Sequence, residues 1–547
     1  MHVYGNYDKN VQYTPETIIW GHRLREGQEW IEYLLEFLAV LAGYDYNFGV
    51  YTDEYIVPKR LGLRRFVFYD ENEKSPDLRD EDAVKKLKER LAHYVQANGH
   101  PVEDIIQQIR SLIRSFAIIE KNRSWYAKSL FPVHEEFILW EALRKGSKRN
   151  TYRDDLTKLS LHELDKGIEF FARNFFARGG ELYYLMISAG TVTEPLWRAR
   201  IASRFKTLLR DSHWTLGTIA SIINQAWVDL TKSDGKAEDI VKGKPGWLPD
   251  PTCPLYTYFA EDLYNLLDNQ LDELECLELV AHLICFHIII YIYHRAHPKN
   301  CSDSTLHQSD RCLQNCRPEI LIDLPGDNDG QIIRSISANL LKRHERWQID
   351  QVRHFVQNMV TLSIQQYPNA KPIDVVERLA DEYFGNIRQT MRSEFQQSIG
   401  KLRQRAAKMK NEEIIEELIN LMYDALASNF QRHFLGIHRR LGRAIGLIAP
   451  QRGPQPRFVL GDTLLKTLTM VIVPPAGTLP FSKFLEHLYQ RYGVIIGPDE
   501  AKQTGLINRF AVNEGAFARN RDRFLNRMKY AGLLTQYSDA TAMVHRP

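Results

Sequence analysis

A chain of 547 residues is too long for a single hydrophobic core, and 44% apolar with 25% charged residues excludes a disordered composition, so a protein of several folded domains is expected. The formal net charge of +3 hides an asymmetry: from Arg432 to the end there are 17 Lys and Arg against 7 Asp and Glu, while the remainder holds 54 against 61. Positive charge concentrated at one end argues against general stickiness and for an anionic partner there.

The first 20 residues lack a basic stretch followed by an apolar one, so secretion is not expected and the location is taken as cytoplasmic. The most apolar window, Leu277 to Tyr293, is interrupted by Glu278, His282 and His287 and falls short of the roughly 20 residues of a membrane span. It reads as a buried helix, and no membrane partner is expected. Six cysteines in so long a chain suit thiols or metal ligands better than a disulfide framework.

Along the chain, Ile31, Leu34, Leu35, Leu38 and Leu41 predict a helix over Trp30–Ala42, followed by an aromatic loop from Gly43 to Gly49. Arg64 to Tyr69 reads as a short strand and Asp82 to Gln96 as a helix. Pro101 opens an amphipathic helix whose stripe is Val102, Ile105, Ile106, Ile109, Leu112, Ile113 and Phe116, with Glu103 and Asp104 at its N-terminal dipole. Gly179-Gly180, after Arg178, allows close backbone approach between helices; two glycines lack the spacing of a phosphate-binding fingerprint. Lys232 to Pro254 is a polar loop containing Asp234-Gly235-Lys236. With Asp229, this offers the chain's one set of candidates for a metal-dependent nuclease, although such sites sit on strands rather than in loops.

Cysteines and histidines crowd the middle. His294 and His297 end a helix, and Cys301, Cys312 and Cys316 punctuate the loop after it, a set from which a structural zinc site can be closed. No Cys-x2-Cys knuckle is present, and reduced cysteines beside helix-end histidines fit the same residues. From Gln331 to Leu447 helical periodicity is nearly unbroken, one stripe being Val352, Phe355, Val356, Met359 and Val360 and another Ile414, Ile415, Leu418, Ile419, Met422 and Leu426. The basic run Lys401 to Lys410 lies on such a helix and reads as a solvated face. Three prolines and a glycine between Ala449 and Pro456 mark a linker.

Beyond it, Thr463–Val473 and Phe481–Tyr492 read as helices, Val494–Ile496 as an extended piece, Ala516–Tyr530 as a third helix, and Leu533–Tyr537 with Ala540–Val544 as a hairpin. That is the element order of a winged helix-turn-helix, whose third helix enters the major groove. On that helix Phe517, Phe524, Leu525 and Met528 form an apolar side, with Arg519, Arg523 and Arg527 as a stripe placed opposite. Lys529, Asn513, Asn520 and Asn526 add polar contacts. The expected DNA-binding set is therefore Arg519, Arg523, Arg527, Lys529, Asn513 and Asn520; an internal acidic patch or a protein partner would satisfy the same arginines.

The expected fold is mainly α, a multi-domain helical protein with a C-terminal winged helix-turn-helix-like domain. Its divisions are 1–150, 151–330 ending in the Cys/His segment, a long-helix region 331–448, a linker 449–460 and a basic domain 461–547. The stretch Glu26 to Leu38, the block from Arg123-Ser124-Trp125 to Phe131-Pro132, Phe176 to Leu182 and the terminal domain together resemble large helical accessory proteins of multi-gene bacterial antiphage defence systems, including modification-linked restriction systems. The resemblance implies protein partners in an assembly containing ATPases or nucleases. Three functions are thus carried forward: a non-catalytic DNA-binding scaffold of a defence complex, a metal-dependent nuclease subunit, and a protein-interaction subunit without DNA affinity.

Overall fold

The computed structural model describes residues 3–5, 15–21, 24, 28–49, 55–58, 78–95, 101–115, 117–120, 123–127, 134–137, 179–231, 240–243, 247–269, 271–298, 310–324, 326, 328–383, 389–453, 455–538 and 541–547. The strand expected at Arg64–Tyr69, Arg178, the Asp234/Lys236 pair and Cys301 lie outside them, as do the side chains of Asp229 and Cys312. The expected mainly helical architecture is present. Its contacts group into two compact units that do not follow chain order: Met1–Trp30, Trp247–Asp268 and His282–Pro547 form the larger, Ile31–Gly246 and Asn269–Ala281 the smaller.

The N-terminal strand β1 (Val3–Gly5) and helix α1 (Pro15–Trp20) belong to the larger unit. The smaller one is built on α2 (Trp30–Gly43), in which every residue from Glu32 to Leu41 is buried. Strand β2 (Tyr55–Pro58), helices α3 (Leu78–Val95) and α4 (Val102–Ser115), and the hairpin β3 (Ala117–Glu120) and β4 (Arg123–Ala127) follow. Next come α5 (Gly179–Gly190), α6 (Pro195–Lys206), a π-helical turn at Thr207–Asp211, and α7 (Trp214–Thr231). Strand β5 (Ile240–Gly243) pairs antiparallel with β2.

One core cluster joins Val84 and Leu87 of α3 to Ile106 of α4 and Ala220, Ile223 and Ala226 of α7. The apolar stripe expected on α4 is only partly used. Ile106 is buried and Ile109 packs beside it, but Leu112 is exposed, while Arg110 of the same helix is buried. Gly179 and Gly180 do what their lack of a side chain permits. A Cβ on Gly180 would lie 2.5 Å from the Tyr33 carbonyl oxygen and 2.7 Å from the Phe37 nitrogen, so α5 begins against the backbone of α2. The Gly180 N–H donates to the Glu36 carboxylate at 2.8 Å, an acidic partner at a helix N-terminus.

In the larger unit, β6 (Trp247–Pro249) pairs with β1 and α8 (Leu255–Leu267) follows; of α9 (Glu273–Ala296), the part from His282 onward belongs to this unit and the part before it to the smaller one. Helix α9 is long and apolar enough to cross a membrane, yet 94% of its apolar window is buried inside the protein, as the interrupting Glu278, His282 and His287 suggested. Then come α10 (Asp310–Asn315), β7 (Ile320–Leu321), α11 (Asn328–Gln366), α12 (Pro372–Tyr383), α13 (Gln389–Arg405) and α14 (Asn411–Ala444). Helices α11 and α14 pack along each other, burying Val352, Val356 and Val360 of one and Ile414, Leu418, Met422 and Leu426 of the other. The basic run from Lys401 to Lys410 is a solvated face, its five cations all exposed, and two of them make surface ion pairs: Arg403 reaches Asp374 at 2.7 Å and Glu377 at 2.8 Å, and Arg405 reaches Glu417 at 2.8 Å.

The proline-rich stretch is not a free tether. Strands β8 (Ile448–Ala449) and β9 (Arg457–Phe458) pair antiparallel across it, and Gly461 N–H donates to Gly446 carbonyl at 2.8 Å. Gly446 stands at φ +76° with the Gly461 Cα against it, a crossing that admits no side chain. Helix α14 ends at Ala444, before left-handed Gly446 and ahead of the prolines; the chain then returns beside its own exit, and 461–547 belongs to the same compact unit as 282–460.

Candidate nucleic-acid interface

Helix α15 (Asp462–Ile472), strand β10 (Thr478–Pro480) and helix α16 (Phe481–Tyr492) open the C-terminal module. Gly493, left-handed at φ +71°, stops α16. The long connection that followed in sequence is filled by strand β11 (Val494–Ile495) and two short helices, α17 (Pro498–Gln503) and α18 (Leu506–Phe510). Strand β11 pairs in parallel with β7, so the module is stitched into the rest of its unit. Helix α19 (Glu514–Tyr530) comes next, and after Gly532 at φ +68° the strands β12 (Leu534–Ser538) and β13 (Thr541–His545) turn back. The three antiparallel strands lie in the order β10-β13-β12.

Asn513 caps α19 by accepting the Gly515 N–H at 2.8 Å, so its side chain has a local structural use. The buried face is Ala516, Phe517, Asn520, Phe524 and Met528. Asn520 was expected on the surface and is instead fully buried: its Nδ2 donates to the Ile322 and Ile496 carbonyls, both at 3.0 Å, and its Oδ1 accepts the Leu324 N–H at 3.3 Å. It closes the backbone where β7 and β11 end and is removed from the contact set.

The arginine stripe flanks this buried face and does not oppose it. At about 100° per residue, Arg523 and Arg527 stand about 40° and 80° round from Arg519, toward Asn520 and Phe524. Arg519 and Lys529 are exposed, whereas Arg523 and Arg527 are half-buried. The Arg523 guanidinium lies under Gly326, where a Cβ would meet its Cζ at 1.9 Å. Arg527 donates to Asp462 at 2.5 Å, and Arg521 pairs with its neighbour Asp522 at 2.9 Å. The outward arc of α19 is therefore Arg519, Asp522, Asn526, Lys529 and Tyr530, with the Asp522 carboxylate held by Arg521. Tyr530 is 91% exposed, as is 71% of Tyr537 on β12. Neither tyrosine was singled out in the sequence, although Tyr530 lies eleven residues, about three turns, from Arg519 and so on the same strip.

Much of the terminal positive charge is answered within the larger unit. Arg439 makes a two-toothed contact to Glu345 at 2.5 and 2.7 Å, Arg457 reaches Asp323 at 2.5 Å, and Arg509 reaches Glu319 at 2.6 Å. Arg440 pairs with Glu29, and Arg491 with Glu261 and with buried Asp262. The charge asymmetry read from the sequence is in good part complementarity between early carboxylates and late arginines.

His287, His344 and His438 belong to the core. Asp262 receives His287 at 3.1 Å and the Tyr492 hydroxyl at 2.6 Å, all three fully buried, and the His287 ring stacks on Phe259 at 4.0 Å. Burial holds the His287 imidazole below its ordinary value despite the carboxylate. A second group joins Tyr293, stacked on His344 at 4.4 Å, to His438 through a 2.9 Å hydrogen bond. Of the five residues proposed for zinc, His294, His297 and Cys316 are buried. The His297 ring sits edge-on against Trp347 at 4.7 Å, and burial lowers it to about 4. Among the described residues no group of three or more His, Cys, Asp or Glu is placed to hold a metal ion.

No curated protein and no solved structure matches the chain. The family model described as methylation-associated defense system protein MAD7 matches residues 251–544, more than half of the chain and nearly the whole C-terminal part of the larger unit. In agreement with the resemblance to antiphage accessory proteins, the chain belongs to that family and is a component of a methylation-associated defence system.

Proposed function

We propose that this chain is a non-catalytic accessory subunit that holds DNA for its defence system, with residues 462–545 acting as a winged helix and α19 as its nucleic-acid-facing helix. The observation that carries the reading is the order α15, β10, α16 and then, past β11 and the short α17 and α18, α19, β12 and β13, with β13 between β10 and β12; that order resembles the arrangement in which a last helix and a hairpin face the same duplex. Exposed Arg519 and Lys529 with Asn526 give that helix phosphate and polar contacts. The long helices α11 to α14 offer surface to protein partners of the system. The two half-buried arginines contribute less than the sequence suggested, so the expected affinity is modest and mainly electrostatic.

The test is a fluorescence-anisotropy titration of the full chain with duplex DNA, methylated and unmethylated, at about 50 and 200 mM salt. Two phosphate contacts, from Arg519 and Lys529, would weaken binding roughly 12-fold over that range. Arg519→Glu with Lys529→Glu should remove most of the affinity. Binding that is undiminished in this double variant, or absent for the unaltered chain at low salt, overturns the reading.

A further inference from the structure

Resting on the DNA reading above, we propose that Tyr530 and Tyr537 stack on unpaired bases, so that the preferred ligand is a duplex continued by a single strand and not a blunt duplex. Tyr530 is the most exposed of the large apolar side chains among the described residues, and Tyr537 follows it by seven positions on the strand that leaves the helix. A lone exposed tyrosine needs no explanation. Here one stands at the end of the cationic strip of α19 and the other on the strand that follows that helix.

That strip runs along α19. Arg519, Asn526 and Tyr530 recur on one side of the helix, and a rise of about 1.5 Å per residue puts Tyr530 about 16 Å beyond Arg519, about five steps of B-form backbone. Tyr537 is within about 24 Å of Tyr530, the reach of seven extended residues. The helix carries five cations and two carboxylates. Both carboxylates are engaged, Glu514 by Lys502 at 2.5 Å and Asp522 by Arg521, which leaves the surface with a positive balance suited to a polyanion. Tyrosines also anchor protein interfaces, but the accompanying charge selects nucleic acid.

The geometry of bases decides which form. In a continuous duplex the base faces are covered by their neighbours and only edges reach the grooves, so a tyrosine ring finds no face to stack on. Once the strand leaves the duplex the faces open, and aromatic rings flanked by cations are the usual platform for them. Arg519 would then follow the duplex backbone, while Lys529 and Tyr530 at the far end of α19, with Tyr537, take the emerging strand.

The experiment compares the full chain on a blunt duplex, the same duplex with a tail of about ten nucleotides, and the tail alone. The tailed duplex should bind best. Tyr530→Ala should cost roughly 5- to 100-fold on it and little on the blunt duplex, whereas Tyr530→Phe keeps the ring and the affinity. Both side chains are exposed, so the variants should fold. Equal binding of tailed and blunt duplexes, or equal loss on both in Tyr530→Ala, overturns the stacking proposal while leaving the DNA reading intact. Unchanged affinity for the tailed duplex in both Tyr530→Ala and Tyr537→Ala also overturns it. No binding to any of the three overturns both proposals.

Discussion

Asn520 Nδ2 donates to the Ile322 carbonyl at 3.0 Å, across 198 residues of sequence, from the helix on which that asparagine was expected to meet DNA. The same amide group serves Ile496, and the side-chain oxygen serves Leu324 N–H, so one residue satisfies three backbone groups in a dry place. Replacing it with leucine strands all three. The expected loss is on the order of 3 kcal/mol or more, since each buried unpaired group costs about 1–3. Chemical denaturation followed by fluorescence measures it. A stable Asn520→Leu variant with weakened DNA binding would restore Asn520 to the interface.

Asp462 holds Arg527 at 2.5 Å while itself remaining 87% exposed, a surface pair of little value to stability. Asp462→Asn releases the arginine and removes a negative charge from beside α19. DNA affinity at low salt should rise about 2- to 5-fold, and the logarithmic salt slope should steepen by up to about one contact. Stability should change by less than about 1 kcal/mol. Unchanged or weaker binding would place Arg527 outside the DNA path.

Helices that carry their own stops were readable. Phe481–Tyr492 ends where Gly493 follows it, and Pro474-Pro475 and Gly532 punctuate the rest of the module in the same way. Helices α17 and α18, six and five residues long, are too short to show a 3.6-residue period and were read as connection. What could not be read was anything that depends on a distant partner. Helical arithmetic put Phe524 and Met528 on the packed face. Whether Arg523 faced water depended on Gly326, nearly 200 residues earlier, and the charge excess looked external because Glu29, Glu261 and Glu319 stand so far back along the chain. The outward arc was within reach of that arithmetic, yet exposed tyrosines carry no charge signal and were passed over.

Gly180 makes the approach of α5 to α2 testable. An added methyl would press on backbone atoms of Tyr33 and Phe37, which cannot rotate away, so Gly180→Ala should destabilise the smaller unit by about 2 kcal/mol or more. Gly400 is the control: it lies within α13 with nothing inside 4 Å of a Cβ, so Gly400→Ala should stabilise by up to about 1 kcal/mol. Differential thermal shifts of the two variants decide the matter. A neutral Gly180→Ala would mean that the two helices do not meet this closely.

The buried histidines set the response to acid. Burial lowers His344 to about 3, with Arg343 and His438 acting in the same direction against its hydrogen bond to the Glu319 carbonyl, and lowers His297 to about 4. In the unfolded chain both titrate near 6.5. Below that pH the unfolded state takes up protons that the folded state refuses, so their contribution is complete above about pH 6.5 and drains away as pH falls toward 4 and then 3. Glu345 follows in a lower window. Burial alone would raise it, but His438 and Arg439 outweigh burial and hold it at about 2, so its contribution is present above about 4.5 and is lost as pH falls toward 2. The denaturation midpoint should therefore drop from pH 7 to pH 5, before Glu345 matters, and His344→Gln should flatten that part of the profile while leaving the fall below pH 4.5. A midpoint that is level between pH 7 and pH 5 in the unaltered chain would mean that these rings are not held neutral in the core.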